Sequence, residues 1–210
     1  MMSRGILTVI SGFSGSGKGT IMKALLERHQ NYALSVSATT RSPREGEVDG
    51  REYFFKTKEE FQEMISKNQF IEYAQYVDHY YGTPRGYVER CLSEGRDVIL
   101  EIEVQGARKV KEMIPEAVLV FVTPPSAREL RERLIGRGTE TMEVIESRLS
   151  RASEEAAAMK DYDYLLINDD LDQCVEAFHE LIQSERCKME RNREFQEKIQ
   201  EELKEFLKGE

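Results

Sequence analysis

The segment Gly12-Phe13-Ser14-Gly15-Ser16-Gly17-Lys18-Gly19-Thr20 is close to the pattern G-x-x-x-x-G-K-[ST], whose chemistry is the cradling of phosphate groups. Glycines let the backbone curl until successive N–H groups converge on one anion. The N-terminus of a following helix adds positive potential, and a lysine reaches the outer phosphates. One position departs from the pattern: Gly19 follows Lys18 where a hydroxyl would ligate Mg²⁺, and Thr20 comes after it. Thr20 lies about 100° further round a helix, so it is expected to touch a phosphate, leaving Mg²⁺ held chiefly by phosphates and water.

A second anion-binding constellation lies further on. In Ser37-Ala38-Thr39-Thr40-Arg41-Ser42-Pro43-Arg44-Glu45-Gly46-Glu47 two arginines bracket a proline-stiffened turn. Two guanidinium forks so placed can grip a phosphate monoester from different sides, and the phenols of Tyr53 and Tyr81 can add neutral donors. Glu101 and Glu103, at the end of an apolar run, stand where an acid can orient a metal's water shell; their alternative is as solvated strand-end acids.

These residues need elements to hold them. Gly5 to Ser11 is a β-branched run that stops at the glycine-rich stretch, and a helical pattern resumes from Lys18 to Arg28, so the cradle sits between a strand and a helix. Further buried-strand candidates are Asp97–Glu101, Ala117–Val122 and Tyr164–Ile167, each followed by a helical pattern. Such alternation predicts a parallel sheet with helices on both faces. Between Ser37 and Gly95 the text turns polar and aromatic. Thr57-x-x-Glu60 reads as a capping box, Phe70 to Tyr81 as a hairpin, and Thr83-Pro84 as a threonine-capped helix start with proline in the first turn. The arginine-rich stretch from Arg128 to Met159, with Gly136-Arg137-Gly138 between two helices, reads as a mobile flap. The last thirty residues read as one charged helix with a narrow stripe of Phe195, Ile199, Leu203 and Phe206. That stripe is expected to lie on its own core, with a dimer contact as the alternative.

Taken together these motifs resemble the guanylate kinase family over about residues 4 to 186. The resemblance rests on Ser37-x-Thr39-Thr40-Arg41-x-Pro43-Arg44-x-Gly46-Glu47, Gly50-x-x-Tyr53-x-Phe55, Phe70-Ile71-Glu72-Tyr73-Ala74 and Tyr80-Tyr81-Gly82-Thr83. It rests equally on Glu101-Ile102-Glu103-Val104-Gln105-Gly106, Pro124-Pro125-Ser126, Arg133-Leu134-x-x-Arg137-Gly138-Thr139-Glu140 and Asn168-Asp169. It implies an α/β P-loop NTPase three-layer fold with a central parallel sheet, an inserted mixed α+β GMP-binding subdomain and a small helical lid. The core would be 1–36, 97–127 and 160–186, the GMP-binding subdomain 37–96, the lid 128–159 and the charged C-terminal helix 187–210.

The implied reaction is ATP + GMP giving ADP + GDP with Mg²⁺, by direct in-line transfer, with dGMP as a further acceptor. ATP would be bound by Gly12, Phe13, Ser14, Gly15, Ser16, Gly17, Lys18, Gly19 and Thr20, with Asn168 near adenine. Arg41, Arg44, Tyr53 and Tyr81 would hold the GMP phosphate, and Ser37, Glu72, Thr83 and Glu103 would surround guanine. Arg133, Arg137 and Arg148 would close over the transferring group, joining Lys18 and Arg41 as catalytic residues. Glu101 would serve the metal through water, although the longer side chains at Glu101 and Glu103, where many relatives carry Asp, leave open which acid takes which role. The residue chemistry agrees: guanine presents N1–H and N2–H₂ on one edge, a donor pair that one carboxylate such as Glu72 can accept, whereas adenine has none. Arg128, Arg131 and Arg151 read as surface residues, Arg128 pairing with Glu132 at i, i+4. His29, His79 and His179 show no recognisable partner, and Cys91 falls in a structural helix.

Composition bounds the rest. The chain has 210 residues, 40% apolar and 33% charged, enough for one ordinary domain with insertions. No apolar run approaches the roughly 20 residues of a membrane helix, and nothing near the start resembles an export signal, so a cytoplasmic location is expected. Three cysteines without C-x-x-C spacing argue against a disulfide framework or structural metal. Thirty basic against 39 acidic residues, net −9, argue against a nucleic-acid polymer or membrane as partner. Oligomeric state stays open. The rival readings are a non-catalytic interaction module, which the intact Lys18 and flap arginines disfavour, and a kinase for another monophosphate.

Overall fold

The computed structural model describes residues 4–76, 78–136, 138 and 141–208. Strand β1 (Leu7–Gly12) leads through the glycine-rich loop into helix α1 (Lys18–Arg28), followed by β2 (Tyr32–Leu34). After an insertion the chain returns as β7 (Asp97–Glu101), α4 (Val104–Met113), β8 (Val118–Thr123), α5 (Ala127–Gly136), α6 (Met142–Ala156), β9 (Tyr164–Ile167) and α7 (Leu171–Arg186). The five strands form one parallel sheet in the order β2-β7-β1-β8-β9. Parallel pairing brings their C-terminal ends to one edge, where open α/β sheets hold their ligands.

Alternation along β1 divides the core. Ile6 and Ile10 face a cluster with Ile21, Met22 and Leu25 of α1 and Phe178 and Ile182 of α7. Leu7 and Val9 face the other side, against Val98 and Leu100 of β7 and Ala107 and Val110 of α4. Truncating a buried Leu or Phe here to Ala would cost about 2–5 kcal/mol. Asp97, almost wholly buried, accepts from Ile6 N at 2.8 Å and from Arg186 Nη2 at 2.5 Å, joining β7 to the end of α7. The fifth strand, β2, is one that the sequence reading passes over: three residues, Tyr-Ala-Leu, are too few to show a period.

The insertion holds β3 (Ala38–Thr39), β4 (Phe54–Phe55), α2 (Lys58–Ser66), β5 (Phe70–Tyr76), β6 (His79–Pro84) and α3 (Arg85–Ser93). Its strands form a mixed sheet, β4-β3-β6-β5, with a small core in which the Phe61 ring stacks on Phe70 at 4.4 Å and Tyr80 at 5.4 Å. The expected hairpin is β5–β6. The capping box is present, with Thr57 Oγ1 accepting from Glu60 N at 3.1 Å and Glu60 Oε2 from Thr57 N at 2.7 Å. The threonine-capped start of α3 is not. Pro84 is the cap and contributes no side-chain bond, while Thr83 stays in β6 and gives its hydroxyl to Glu72, because a buried carboxylate needs that donor more than an exposed helix end does.

The C-terminus also departs from expectation. One helix does not span the last thirty residues; α7 ends at Arg186, a 3₁₀ turn covers Met189–Arg191, and α8 (Arg193–Lys208) follows. The turn is organised by buried Glu185, on which Tyr164 Oη, Lys188 Nζ (2.6 Å) and Arg191 Nη2 (3.2 Å) converge. The α8 stripe does not lie on its own core, since Phe195 is 63% and Phe206 77% exposed. His29 and His179 do have partners: their rings stack at 3.8 Å, and Tyr32 Oη lies 2.9 Å from His179 Nδ1.

Candidate active site

The glycine-rich loop is shaped by close approach. A Cβ on Gly12 (φ +153°) would stand 2.1 Å from the Val122 carbonyl oxygen, and one on Gly17 (φ +89°) 2.3 Å from Asn168 Nδ2. Gly17 begins α1 without a side-chain cap, so the first N–H groups of that helix stay open to an anion. Lys18 folds its ammonium over the loop, donating to Gly12 O at 2.6 Å and Phe13 O at 3.0 Å. Gly19 and Thr20 lie exposed at the start of α1.

The loop is braced from behind. Phe13 packs edge-on against Phe121 at 5.1 Å and joins Leu130 and Leu134 of α5. Asn168, buried at the end of β9, donates Nδ2 to Ser16 O at 2.8 Å, so its side chain supports the loop backbone. Ser16 is itself buried, whereas Gly15 and Ser14 are partly accessible.

A cleft of about 730 Å³ opens in front of the loop, lined by Gly12, Ser14 and Lys18, by Glu101 at the end of β7 and Glu103 just beyond it, and by Arg148, Arg151 and Glu155 of α6. Arg148 donates to Ser14 Oγ. Arg133 is paired on its own helix with Glu129 at 2.8 Å, and Arg137 lies outside the described residues. Arg128 pairs with Glu132 at 2.9 Å as expected. Arg151 is exposed, as the sequence suggests, but it also lines the cleft, where it pairs with Glu103 at 2.7 Å and Glu155 at 3.1 Å. Nothing local in the sequence marks this, because its partner Glu103 comes from a distant element.

The insertion gathers a second set. Arg41 donates Nη2 to Glu47 Oε1 at 2.8 Å and Nη1 to Ser42 O at 2.7 Å, with its guanidinium 5.3 Å from the centre of the Tyr53 ring. Tyr53 and Tyr81 meet edge-on at 6.0 Å. Glu47 also accepts from Arg44 N at 2.7 Å, while the Arg44 residue stays exposed. The Arg41 contact holds the Glu47 carboxyl below its ordinary range, and Glu47 raises Arg41 in return. Glu47 stands in the motif, yet spacing alone assigns it no part.

Sheet register builds a polar row beside this cluster. Glu72 on β5 pairs with Thr83 on β6, and extending the β3–β6 register from Ala38↔Gly82 sets Ser37 opposite Thr83. Thr83 Oγ1 donates to Glu72 Oε1 at 2.8 Å. Glu72 is 9% exposed; burial pushes its carboxyl up, opposed by Thr83 and the charge of Lys109. A Cβ on Gly106 would come within 3.3 Å of Glu72 Oε2, so the first turn of α4, which follows the cap residue Glu103, abuts Glu72.

A parallel sheet running into a glycine-rich loop that carries Lys18, with arginine-bearing helices beside it and an insertion that gathers Arg41, Tyr53 and Tyr81, has the architecture of a P-loop phosphotransferase. The guanylate kinase family model matches residues 4–185. The guanylate kinase of Caldanaerobacter subterraneus subsp. tengcongensis is 53% identical over 199 residues, 95% of this chain and 97% of that protein. The Clostridioides difficile guanylate kinase is 52% identical over 203 residues, 96% and 99% of the two chains. A crystal structure of guanylate kinase from Anaplasma phagocytophilum superposes with a TM-score of 0.70 at 34% identity, covering 90% of each chain. The chain belongs to the guanylate kinase family.

Proposed function

We propose that, in the conversion of ATP and GMP to ADP and GDP that family membership gives this chain, the two constellations hold one substrate each. The loop from Gly12 to Thr20 wraps the ATP phosphates, with Asn168 on the adenine side. Arg41, Arg44, Tyr53 and Tyr81 grip the GMP phosphate, and Ser37, Glu72, Thr83 and Glu103 read guanine. Residues 37–96 then serve as the GMP-binding unit, 128–159 as the lid and the parallel sheet with its helices as the core. The observation that carries this reading is buried Glu72, held by Thr83 beside the Arg41–Tyr53–Tyr81 cluster. A buried acid with one donor has acceptor capacity to spare for the guanine edge.

The acceptor phosphate oxygen attacks the γ-phosphorus in line, without a covalent enzyme intermediate, and catalysis is positioning and electrostatics. Lys18, Arg41, Arg133, Arg137 and Arg148 neutralise the charge that develops. Among the described residues no group of three or more His, Cys, Asp or Glu side chains converges as a metal cage. A cation would therefore draw its ligands mainly from phosphate oxygens and water, the usual manner of Mg²⁺, with Glu101 at the cleft wall orienting that water. Mg²⁺ would supply charge neutralisation at the phosphates. dGMP is included as an acceptor because none of the assigned residues is allotted to the ribose. The three free cysteines suit a reducing, cytoplasmic compartment, and no helix among the described residues is long and apolar enough to cross a membrane.

A coupled assay of ADP release over GMP, dGMP, AMP, UMP and CMP tests the reading. GMP and dGMP should be used, with AMP poorer by about 10⁴ in kcat/KM, since a site built on hydrogen bonds rejects analogues that leave it unpaired. Comparable kcat/KM for AMP and GMP would overturn the assignment of Glu72.

A further inference from the structure

Helix α6 turns Arg148, Arg151 and Glu155 into the cleft. Their i, i+3, i+7 spacing sets them on one helix face, since seven residues make close to two turns. Arg148 bonds Ser14 of the phosphate loop. Arg151 spans two acids: its Nη2 is 2.7 Å from Glu103 Oε2, at the head of α4, and its Nε is 3.1 Å from Glu155 Oε1. Glu155 also lies in the field of Lys18, and burial holds its carboxyl above the ordinary range against the pull of both cations. Charges of alternating sign therefore run along the cleft wall from Lys18 through Glu155 and Arg151 to Glu103.

An accessible ion pair of this kind adds little to stability, but its geometry is specific. Glu155 occupies the Nε edge of the guanidinium and leaves Nη2 to Glu103. Arg151 engages one oxygen of a Glu103 side chain that is 63% exposed, so the second oxygen remains for a base in the cleft. We propose that Arg151 is a positioning residue for the acceptor: it fixes the orientation of Glu103 and, by sharing a helix face with Arg148, ties that orientation to the contact between lid and donor loop. This rests on the reading of Glu103 as a guanine-facing acid. The consequence is energetic coupling between the two nucleotides, which linkage makes reciprocal.

Kinetics and GMP titrations, with and without a non-hydrolysable ATP analogue, test this on R151A, R151K, E103Q and the double variant, with R128A as a surface control. R151A should raise KM for GMP about fivefold or more, leave KM for ATP within about twofold, and abolish the gain in GMP affinity that the analogue gives the wild type. R151K should restore part of the effect, and the double variant should be no worse toward GMP than E103Q alone, because neighbours acting through one contact are not additive. An R151A enzyme with wild-type KM for GMP beside an impaired E103Q overturns the role of Arg151 and leaves the reading of Glu103 standing. Additive losses in the double variant do the same. An E103Q enzyme with wild-type KM for GMP overturns the reading of Glu103 and this proposal with it.

Discussion

Burial holds the carboxyl of Glu72 above the ordinary carboxylate range, and the sign of that shift matters for what the residue does. A group whose folded pKa is raised stabilises the fold at low pH and loses that contribution as pH rises through the folded pKa. Where its carboxyl is ionised, the burial of Glu72 therefore weighs against the fold. Donors from guanine would offset this by satisfying its charge. E72Q should accordingly unfold at the same temperature as the wild type or higher without ligand, yet lose the rise in Tm that GMP gives, since the amide offers one acceptor where two are wanted. Thermal unfolding with and without GMP measures both, and a lower ligand-free Tm with an intact GMP shift would contradict the assignment. The resemblance singled out Glu72 in the sequence, and the hairpin that brings Thr83 to it was legible there too. The contact of Arg151 with Glu103 was not, because nothing near Arg151 in the chain reports that distant partner, and Glu47, although only six residues from Arg41, was given no part by spacing alone.

At the scale of elements, the helices and strands with a clear period were readable to within a residue or two: β1, β7, β8, β9 and α1. Local chemistry was readable too. Thr57 and Glu60 form the capping box that their spacing demands, and T57A should cost about 1 kcal/mol and lower Tm by about 2–4 °C in a chain of this size. KM for GMP and ATP should not move, because α2 packs on the insertion's own small core through Phe61; a shifted KM for GMP would show that this core sets the acceptor site. What resisted reading were features decided by tertiary contact. The break between α7 and α8 exists because buried Glu185 collects Tyr164, Lys188 and Arg191, and the helical pattern on either side carries no trace of it.

Across the whole molecule, hydrophobic burial is shared between the sheet core and the segments attached to it. The insertion has a small aromatic cluster around Phe61, yet Ile71 of β5 and Val88, Cys91 and Leu92 of α3 pack in the same layer as Leu7, Val98 and Val110, while α5 and α6 meet the loop through Phe13, Leu130, Leu134 and Ile145. Arg148 and Arg151 of α6 reach Ser14 and Glu103 of the core, whereas Arg133 of α5 is paired with Glu129 on its own helix. Transfer to GMP must outcompete transfer to water, so the full set of arginines should assemble only when both nucleotides are present. Charge bridging the two substrates would give the reason: it would draw Arg133 from Glu129 and make closure favourable only in the ternary complex. Small-angle scattering should therefore show a smaller radius of gyration with a bisubstrate dinucleotide than with no ligand or either nucleotide alone. R148A should lower kcat by about 10³-fold, as loss of an arginine finger does, and change GMP affinity less. An unchanged radius across all four states, together with an active R148A enzyme, would remove closure from the mechanism.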